Sequence, residues 1–177
     1  MSITQEYANQ CFDYDPDTGI LKWKHRPIEH FKSKRGYSVW NARYSMISCG
    51  HLSSNGYLIV SVNKSFYAVH RIIWLIVYGY FPIEIDHINH NRTDNRIDNL
   101  RCVNRRDNCR NQSIRKLNNS GVTGISFDRK NKKWRVVIGS RKTFKHIGRF
   151  SIFNDAVVAA KAAHEEKGFH PNHGKTL

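Results

Sequence analysis

The polar segment at residues 84–100 restricts the architecture of this chain more than any other stretch. It reads EIDHINHNRTDNRIDNL, with four asparagines, three aspartates and two histidines. This composition favours turns, because Asn and Asp side chains hydrogen-bond their own backbone. Asp86 and His87 are consecutive, so on a strand they point to opposite faces and can serve one site only where the chain turns. We therefore predict a strand that ends at this pair, a turn-rich loop, and a short polar helix at residues 104–111.

The side chains at positions 86, 87 and 108 combine metal-binding and proton-accepting groups. Asp86 and Asn108 offer hard oxygen ligands for a divalent cation. His87 suits general-base work, since an imidazole titrates near neutral pH. If Asn108 faces back toward Asp86, the strand, loop and helix close around an ion in a ββα-metal arrangement. The pattern thus predicts a site that hydrolyses a phosphodiester.

Most of the polar loop has a simpler interpretation. Asn and Asp residues in such a loop are more often turn formers and helix caps than functional groups, and this interpretation is favoured individually for Asn89, Asn91, Asp94 and Asn95. It is weaker for the Asp86–His87 pair, because Asn99 and Asn108 follow at defined spacings. For His90 two interpretations remain open: a contact to a metal ligand or to phosphate, and a solvated position in the loop.

The same segment resembles the HNH nuclease motif of phage and intron-encoded homing endonucleases. The resemblance is carried by residues 69–74 (VHRIIW), the Asp86–His87 pair, residues 94–100 (DNRIDNL) and residues 106–111 (RDNCRN). It implies that Asp86 and Asn108 bind the metal, that His87 is the general base, and that Asn99 is a catalytic-site residue that braces the loop. Many HNH nucleases have a final His where this chain has Asn108. This difference favours Mg²⁺ or Mn²⁺ over zinc, since carboxylate and carboxamide oxygens are harder ligands than imidazole.

The charge distribution independently indicates a polyanionic partner. The formal net charge is +15, and residues 101–150 hold 15 basic and two acidic residues, which contribute +13. A surplus confined to one region is typical of nucleic-acid binding. A solvated basic face and attraction to a membrane are the alternatives. Phosphate contacts are predicted for Arg105, Arg106, Arg110, Arg115 and Lys116.

Local patterns predict the elements around the polar segment. Residues 12–23 contain a turn that feeds a short strand, and Asn63-Lys64 joins the strands 57–62 and 66–69 in a hairpin. A helix at residues 70–78 should end at Gly79. We expect Ile73, Trp74 and Val77 on its core face. His70, at its start, is interpreted as a core histidine.

Residues 113–120 lack apolar periodicity and predict a linker to a second domain. There we expect strands at residues 123–127, 133–138 and 143–150, then a helix that is N-capped by Asn154 or Ser151 and ends at Gly168. The free sheet face and its turns carry basic residues that could enter a major groove. The candidates are Arg129, Lys130, Lys132, Lys133, Arg135, Arg141 and Lys142.

Residues 121–125 (GVTGI), 133–135 (KWR) and 146–150 (HIGRF), with the Ala-rich helix, resemble the DNA-binding domain of plant apetala and ethylene-response factors. That domain also occurs fused to phage HNH endonucleases. The resemblance implies that Arg135 and His146 lie on the DNA-facing side and that Trp134 belongs to the core with Ile138. Plant members often have a basic residue at the position of Ser126, so no target sequence is carried over.

These observations predict an α+β fold, with a ββα-metal HNH nuclease domain at 1–112 (core 81–112), a linker at 113–120 and a domain at 121–177 built from a three-stranded antiparallel sheet and one packed helix. The predicted activity is that of a homing-type DNA endonuclease with one Mg²⁺ or Mn²⁺ ion. Double-stranded DNA is the expected partner. A monomer should nick one strand, and a dimer is the alternative. A DNA-binding regulator that does not cleave, and a nuclease for RNA or branched phage DNA, remain open. The absence of a signal-like or membrane-spanning stretch predicts a cytoplasmic protein of a bacterial host, encoded by a phage or intron.

Overall fold

The computed structural model describes residues 3–139 and 143–175. Internal contacts divide the chain into two compact units, the first ending at Val103 and the second beginning at Asn104. Both units combine helices with small antiparallel sheets. This architecture fits the predicted α+β class. Arg141 and Lys142, two predicted DNA-binding residues, lie outside the described residues.

The first unit is built from short elements that alternate along the chain. Its helices are α1 (Gln5–Cys11), α2 (Lys34–Tyr44) and α3 (Val69–Tyr78). Its strands pair antiparallel as β1 (Phe12–Asp15) with β2 (Ile20–Trp23), β3 (His51–Leu52) with β4 (Leu58–Val62), β4 with β5 (Ser65–Ala68), and β6 (Glu84–His87) with β7 (Leu100–Val103).

A predicted hairpin turn and a predicted helix end are confirmed. Asn63 and Lys64 have φ values of 48° and 64°, the left-handed conformation that a two-residue hairpin turn requires between β4 and β5. Gly79 has a φ of 83° and ends α3, with its N–H donating to the carbonyl of Leu75. Both signals are local, so short stretches of sequence were sufficient to find them.

Helix α3 packs its apolar face into the core of the first unit. Ile72 and Ile73 are fully buried and Trp74 is 5% exposed, as predicted for residues 73 and 74. The prediction for Val77 is wrong, because this side chain is 42% exposed. The face centred on Ile72 and Ile73 continues to Ile76, which is packed against the core, so Val77 lies one position further round the helix.

The second unit begins with the short helix α4 (Arg105–Cys109) and continues as a sheet covered by one helix. The strands β8 (Ile125–Asp128), β9 (Lys133–Ile138) and β10 (Lys145–Phe150) form an antiparallel sheet with β9 in the centre. Helix α5 (Phe153–Glu166) lies on one face, where its buried Ala156 and Ala160 allow close approach to Val136 and Ile138. The predicted N-cap is wrong: Ile152 holds this position without a side-chain cap bond.

The division of the chain falls earlier than the sequence suggested. Residues 110–114, partly inside the predicted 113–120 linker, form backbone hydrogen bonds with residues 170–175 of the C-terminal segment. Backbone hydrogen bonds run from His170 to Arg110, from Gly174 to Gln112, and from Ile114 to Lys175. These bonds join the segment after α4 to the second unit. The division into a nuclease domain and a binding domain stays a prediction.

Candidate active site

The strand pair β6–β7 places the Asp86–His87 pair at the end of a strand. β6 ends at His87, and the chain turns at once, with the N–H of His90 donating to the carbonyl of His87 at 2.9 Å. Asp86 is 7% exposed and His87 is 4% exposed. Both polar side chains are therefore buried within the first unit, at the point where the strand ends and the turn begins.

Asp86 is held by an arginine from the facing strand. Arg101 lies directly opposite Asp86 in the β6–β7 register. Its Nε and Nη2 donate to the same carboxylate oxygen, Oδ2, at 2.9 and 2.7 Å. This charge-assisted pair offsets the cost of burying the carboxylate and leaves Oδ1 outside the Arg101 contact. Sequence reasoning missed Arg101, although the register of the two strands would have identified it.

His87 is oriented by an asparagine of the polar loop. Its Nε2 lies 3.1 Å from Oδ1 of Asn95, which is 1% exposed. With Oδ1 of Asn95 facing the ring, the amide oxygen accepts from Nε2–H, and this assignment leaves the basic lone pair on Nδ1. Burial lowers the pKa of His87 below its ordinary value, although the Asn95 bond and nearby Asp86 oppose this effect. The ring is therefore neutral at neutral pH, as a general base requires.

A second histidine lies against the first. His70 is 8% exposed, and its ring centroid is 5.0 Å from that of His87 at an interplanar angle of 83°. Tyr57 contacts both rings, at 5.1 and 5.8 Å. Burial, with smaller contributions from His87 and Arg71, lowers the pKa of His70 to about 3. His70 is thus a neutral, buried residue, in agreement with its interpretation as a core histidine.

The loop between the strands is held by its own polar side chains. Asn99 accepts a hydrogen bond from the backbone N–H of Asn89 at 2.9 Å and donates to the carbonyl of Asp94 at 2.8 Å. Asp94 in turn accepts two bonds from the Arg96 side chain and one from the Asn89 side chain, and its pKa is lowered to about 2, chiefly by Arg96. These bonds connect the two ends of the loop. The catalytic role of Asn99 stays a prediction.

The predicted metal ligands lie on separate units. Asp86 belongs to β6 of the first unit, and Asn108 is a half-buried residue of α4 in the second unit. Among the described residues, no group of three or more His, Cys, Asp or Glu side chains is placed to hold a metal ion. The predicted ligands are a smaller set, one carboxylate and one carboxamide. A shared ion between Asp86 and Asn108 therefore stays a prediction.

The predicted DNA-binding residues are in the second unit. Arg110 of this set is partly buried, and the other described members are exposed: Arg105, Arg106, Arg115, Lys116, Arg129, Lys133, Arg135 and His146. On the sheet, Arg135 pairs with Arg149 and Val137 pairs with His146. Cross-strand partners share a face, and alternate residues of β9 do too. Arg135, His146 and Arg149 hence lie on the face opposite α5, and Arg149 is a basic residue that sequence reasoning missed.

A comparison with known protein families gives a match over the candidate active site. Residues 67–110 match the family model of HNH endonucleases, a stretch that contains Asp86, His87, Asn95 and Asn99. This part of the chain therefore has the character of an HNH nuclease domain.

A curated relative is similar over a longer stretch. The chain is 34% identical over 80 residues to Protein 3.8 of Escherichia phage T7. The alignment covers 42% of this chain and 66% of the relative, slightly less than two thirds of its length. No solved structure matches the chain. In the described parts of the chain, none of the helices has the length and apolar character that crossing a membrane requires.

Proposed function

We propose that the protein is a metal-dependent DNA endonuclease of the HNH homing type. The observation that carries this proposal is the buried, neutral His87, whose Nε2 contacts Asn95 while Asp86 precedes it at the end of β6. The family match covers the same residues. A neutral imidazole with a fixed N–H and a neighbouring carboxylate are the groups that water activation beside a cation requires.

In this proposal each polar group has a defined role. Nδ1 of His87 accepts a proton from the water that attacks phosphorus. Asp86 and Asn108 would hold one Mg²⁺ or Mn²⁺ ion, and the donor chemistry fits, because both side chains supply hard oxygens. When bound, the ion supplies positive charge that stabilises the phosphate and the departing 3′ oxygen. Asn99 keeps the loop closed across its base.

The second unit is proposed to hold double-stranded DNA. Arg135, His146 and Arg149 on the face of the sheet opposite α5, and the exposed Lys133 of the same strand as Arg135, offer cations to phosphates. Arg105, Arg106, Arg110, Arg115 and Lys116 add positive charge along the chain after β7. One active site per chain cuts one strand per visit, so a monomer nicks the duplex and a dimer cuts both strands.

One observation favours a second candidate, a DNA-binding protein that does not cleave. Arg101 already neutralises Asp86, the residue assigned to the metal. A carboxylate with a permanent guanidinium partner has less need of a cation. In this case the strand pair has a structural role, and binding of DNA is the activity.

Cleavage of a supercoiled plasmid separates the two candidates. The full-length protein should convert it to the nicked form in Mg²⁺ or Mn²⁺ and not in EDTA. His87→Ala should lower the rate by about 10²- to 10⁴-fold, the usual contribution of a general base. His51→Ala, an exposed histidine on β3, is the matched control. A plasmid left covalently closed by the wild type in both metals excludes the endonuclease, and parallel assays on RNA and on branched DNA test the other nuclease substrates.

A further inference from the structure

The N-terminal hairpin β1–β2 contacts the residue that orients His87. The hydroxyl of Tyr14, on β1, donates to the backbone carbonyl of Asn95 at 3.0 Å. The turn between β1 and β2 ends at the buried Gly19, which has a φ of 73°. A Cβ atom at Gly19 would lie 2.5 Å from the backbone nitrogen of Arg96 and 2.7 Å from the carbonyl carbon of Asn95. The hairpin backbone is therefore in close contact with the backbone at residues 95–96.

The two polar atoms of the Asn95 side chain have different surroundings. Oδ1 contacts Nε2 of His87, whereas Nδ2 is buried and has no hydrogen-bond partner within the described residues. A buried unsatisfied N–H group costs free energy, so such a group in a folded protein requires an explanation. The contact with His87 supplies this explanation: the amide is turned so that its oxygen orients the ring, and its nitrogen is left without a partner among the described residues. No second hydrogen bond from that nitrogen fixes the amide plane, so its direction depends on where the Asn95 backbone is held.

Tyr14 is suited to hold that backbone. Burial is the main cause that raises its pKa to about 12, so the phenol keeps its proton and remains a donor. Tyr14 is 81 residues away from Asn95 in sequence, and the bond therefore joins two distant segments of the first unit. The peptide of Asn95 is held on one side by this hydroxyl and is packed against Gly19.

We infer that Asn95 is a positioning residue that fixes the ring orientation and the tautomer of His87, and that the β1–β2 hairpin keeps Asn95 in place through Tyr14 and Gly19. The inference rests on the proposed endonuclease function for its consequence in catalysis. It adds to that function a dependence on the N-terminal hairpin, which lies outside residues 67–110 of the family match.

The kinetic test uses the whole chain with three test substitutions and one control substitution. Asn95→Ala should lower kcat by about 10- to 100-fold, the usual cost of losing a group that orients a functional histidine. The KM for plasmid should stay within twofold of the wild-type value. Asn95→Asp, which still accepts from Nε2–H, should recover part of kcat. Tyr14→Phe, which keeps the ring and removes the hydroxyl, should lower kcat several-fold, whereas Tyr78→Phe, on an exposed tyrosine of α3, should not.

A spectroscopic test is independent of activity. The ¹⁵N shifts of the His87 ring should show the Nε2–H tautomer in the wild type and in Asn95→Asp, and a mixture of tautomers in Asn95→Ala. Thermal melts identify any variant that fails to fold. If Asn95→Ala is such a variant, Tyr14→Phe decides: wild-type kcat with an unchanged His87 tautomer in Tyr14→Phe overturns the inference. If wild type does not cleave, the proposed function fails while the ¹⁵N spectra still decide whether Asn95 sets the tautomer. An Asn95→Ala protein that folds, keeps the tautomer and retains wild-type kcat overturns the inference.

Discussion

Oδ2 of Asp86 accepts both hydrogen bonds that Arg101 donates from the opposite position on β7, at 2.9 and 2.7 Å. The Asp86 side chain is 8% exposed and that of Arg101 is 31% exposed. The guanidinium is therefore the more exposed member of the pair, and its charge offsets the burial of the carboxylate. In the proposed function the same carboxylate is a ligand of the divalent ion, so a substitution of Arg101 would test both the stability of the strand pair and the affinity for that ion.

Arg101→Ala should destabilise the metal-free protein. The buried carboxylate of Asp86 would lose a charged partner, and we expect a loss of about 1–3 kcal/mol in the free energy of unfolding. Urea denaturation in EDTA measures it. Arg35→Ala, at an exposed position of α2, should change stability by about 0.5 kcal/mol or less. If both variants unfold at the same urea concentration, the Arg101 side chain has no role in stability.

The free energy of unfolding should decrease as the pH is lowered, and the buried His70 should cause part of this decrease. The pKa of this ring is about 3 in the folded protein, against an ordinary value of 6.5. Between these values the unfolded chain binds a proton that the folded chain does not, so stability falls as pH decreases from 6.5 toward 3, by up to about 1.4 kcal/mol per pH unit. His70→Phe should remove this part of the slope. Urea denaturation of both proteins at pH 7, 6, 5 and 4 checks the difference, and parallel curves contradict it.

The proposed metal ligand on α4 can be tested by two changes at one position. Asn108→Asp keeps an oxygen donor and should retain plasmid nicking in Mn²⁺, whereas Asn108→Ala should lose about 10-fold or more of it. Isothermal titration with Mn²⁺ should show weaker binding for the alanine variant alone. Binding and nicking that are equal in wild type and in Asn108→Ala would remove Asn108 from the site.

A methyl group at Gly19 should affect the loop around Asn95. Gly19→Ala combines a left-handed φ of 73° with a Cβ only 2.5 Å from the Arg96 nitrogen, so we expect a loss of about 2 kcal/mol or more. Gly121→Ala is a matched control, since Gly121 has a φ of 74° and nothing within 4 Å of the added carbon. It should cost about 1 kcal/mol from the backbone strain alone. Thermal and urea unfolding compare the two, and equal losses would mean that the close approach at Gly19 relaxes at no cost.

The salt dependence of DNA binding should show whether the sheet face opposite α5 contacts phosphates. Arg135→Gln or Arg149→Gln should reduce the slope of log K against log salt by about 1 for each phosphate that the variant no longer neutralises. Lys161→Gln, at an exposed position of α5, changes the charge equally and should leave the slope as in wild type. Fluorescence anisotropy with a duplex at several salt concentrations in EDTA measures all three. A larger effect for Lys161→Gln would assign DNA binding to the helix.

Much of the fold was readable because its signals are local. The Asn63-Lys64 turn and the Gly79 helix end require left-handed backbone conformations that only a few residue types adopt readily. Val136 and Ile138 are buried at alternate positions of β9, the pattern of a strand with one face on the core. Val77 was misplaced because its helix face depends on how far the core extends beside the last turn.

The candidate site was readable only in part. The Asp86–His87 pair stands at a strand end, as the polar composition after it indicated. The partners that orient this pair were missed. Arg101 is 15 residues from Asp86, and Tyr14 is 81 residues from Asn95. Asn95, only eight residues from His87, was interpreted as a turn former because a loop asparagine has the same local pattern whether its amide faces solvent or an imidazole.

The amino-acid order alone was enough to locate the turn at Asn63-Lys64, the end of α3 at Gly79, the alternating strands and the position of the reactive pair, because each depends on backbone preferences within a few neighbouring residues. The folded chain decided which groups hold that pair: Arg101 on Asp86, Asn95 on His87, and Tyr14 and Gly19 on Asn95. Those contacts arise from strand register and burial. They depend on free energies summed over distant segments, which no local pattern contains.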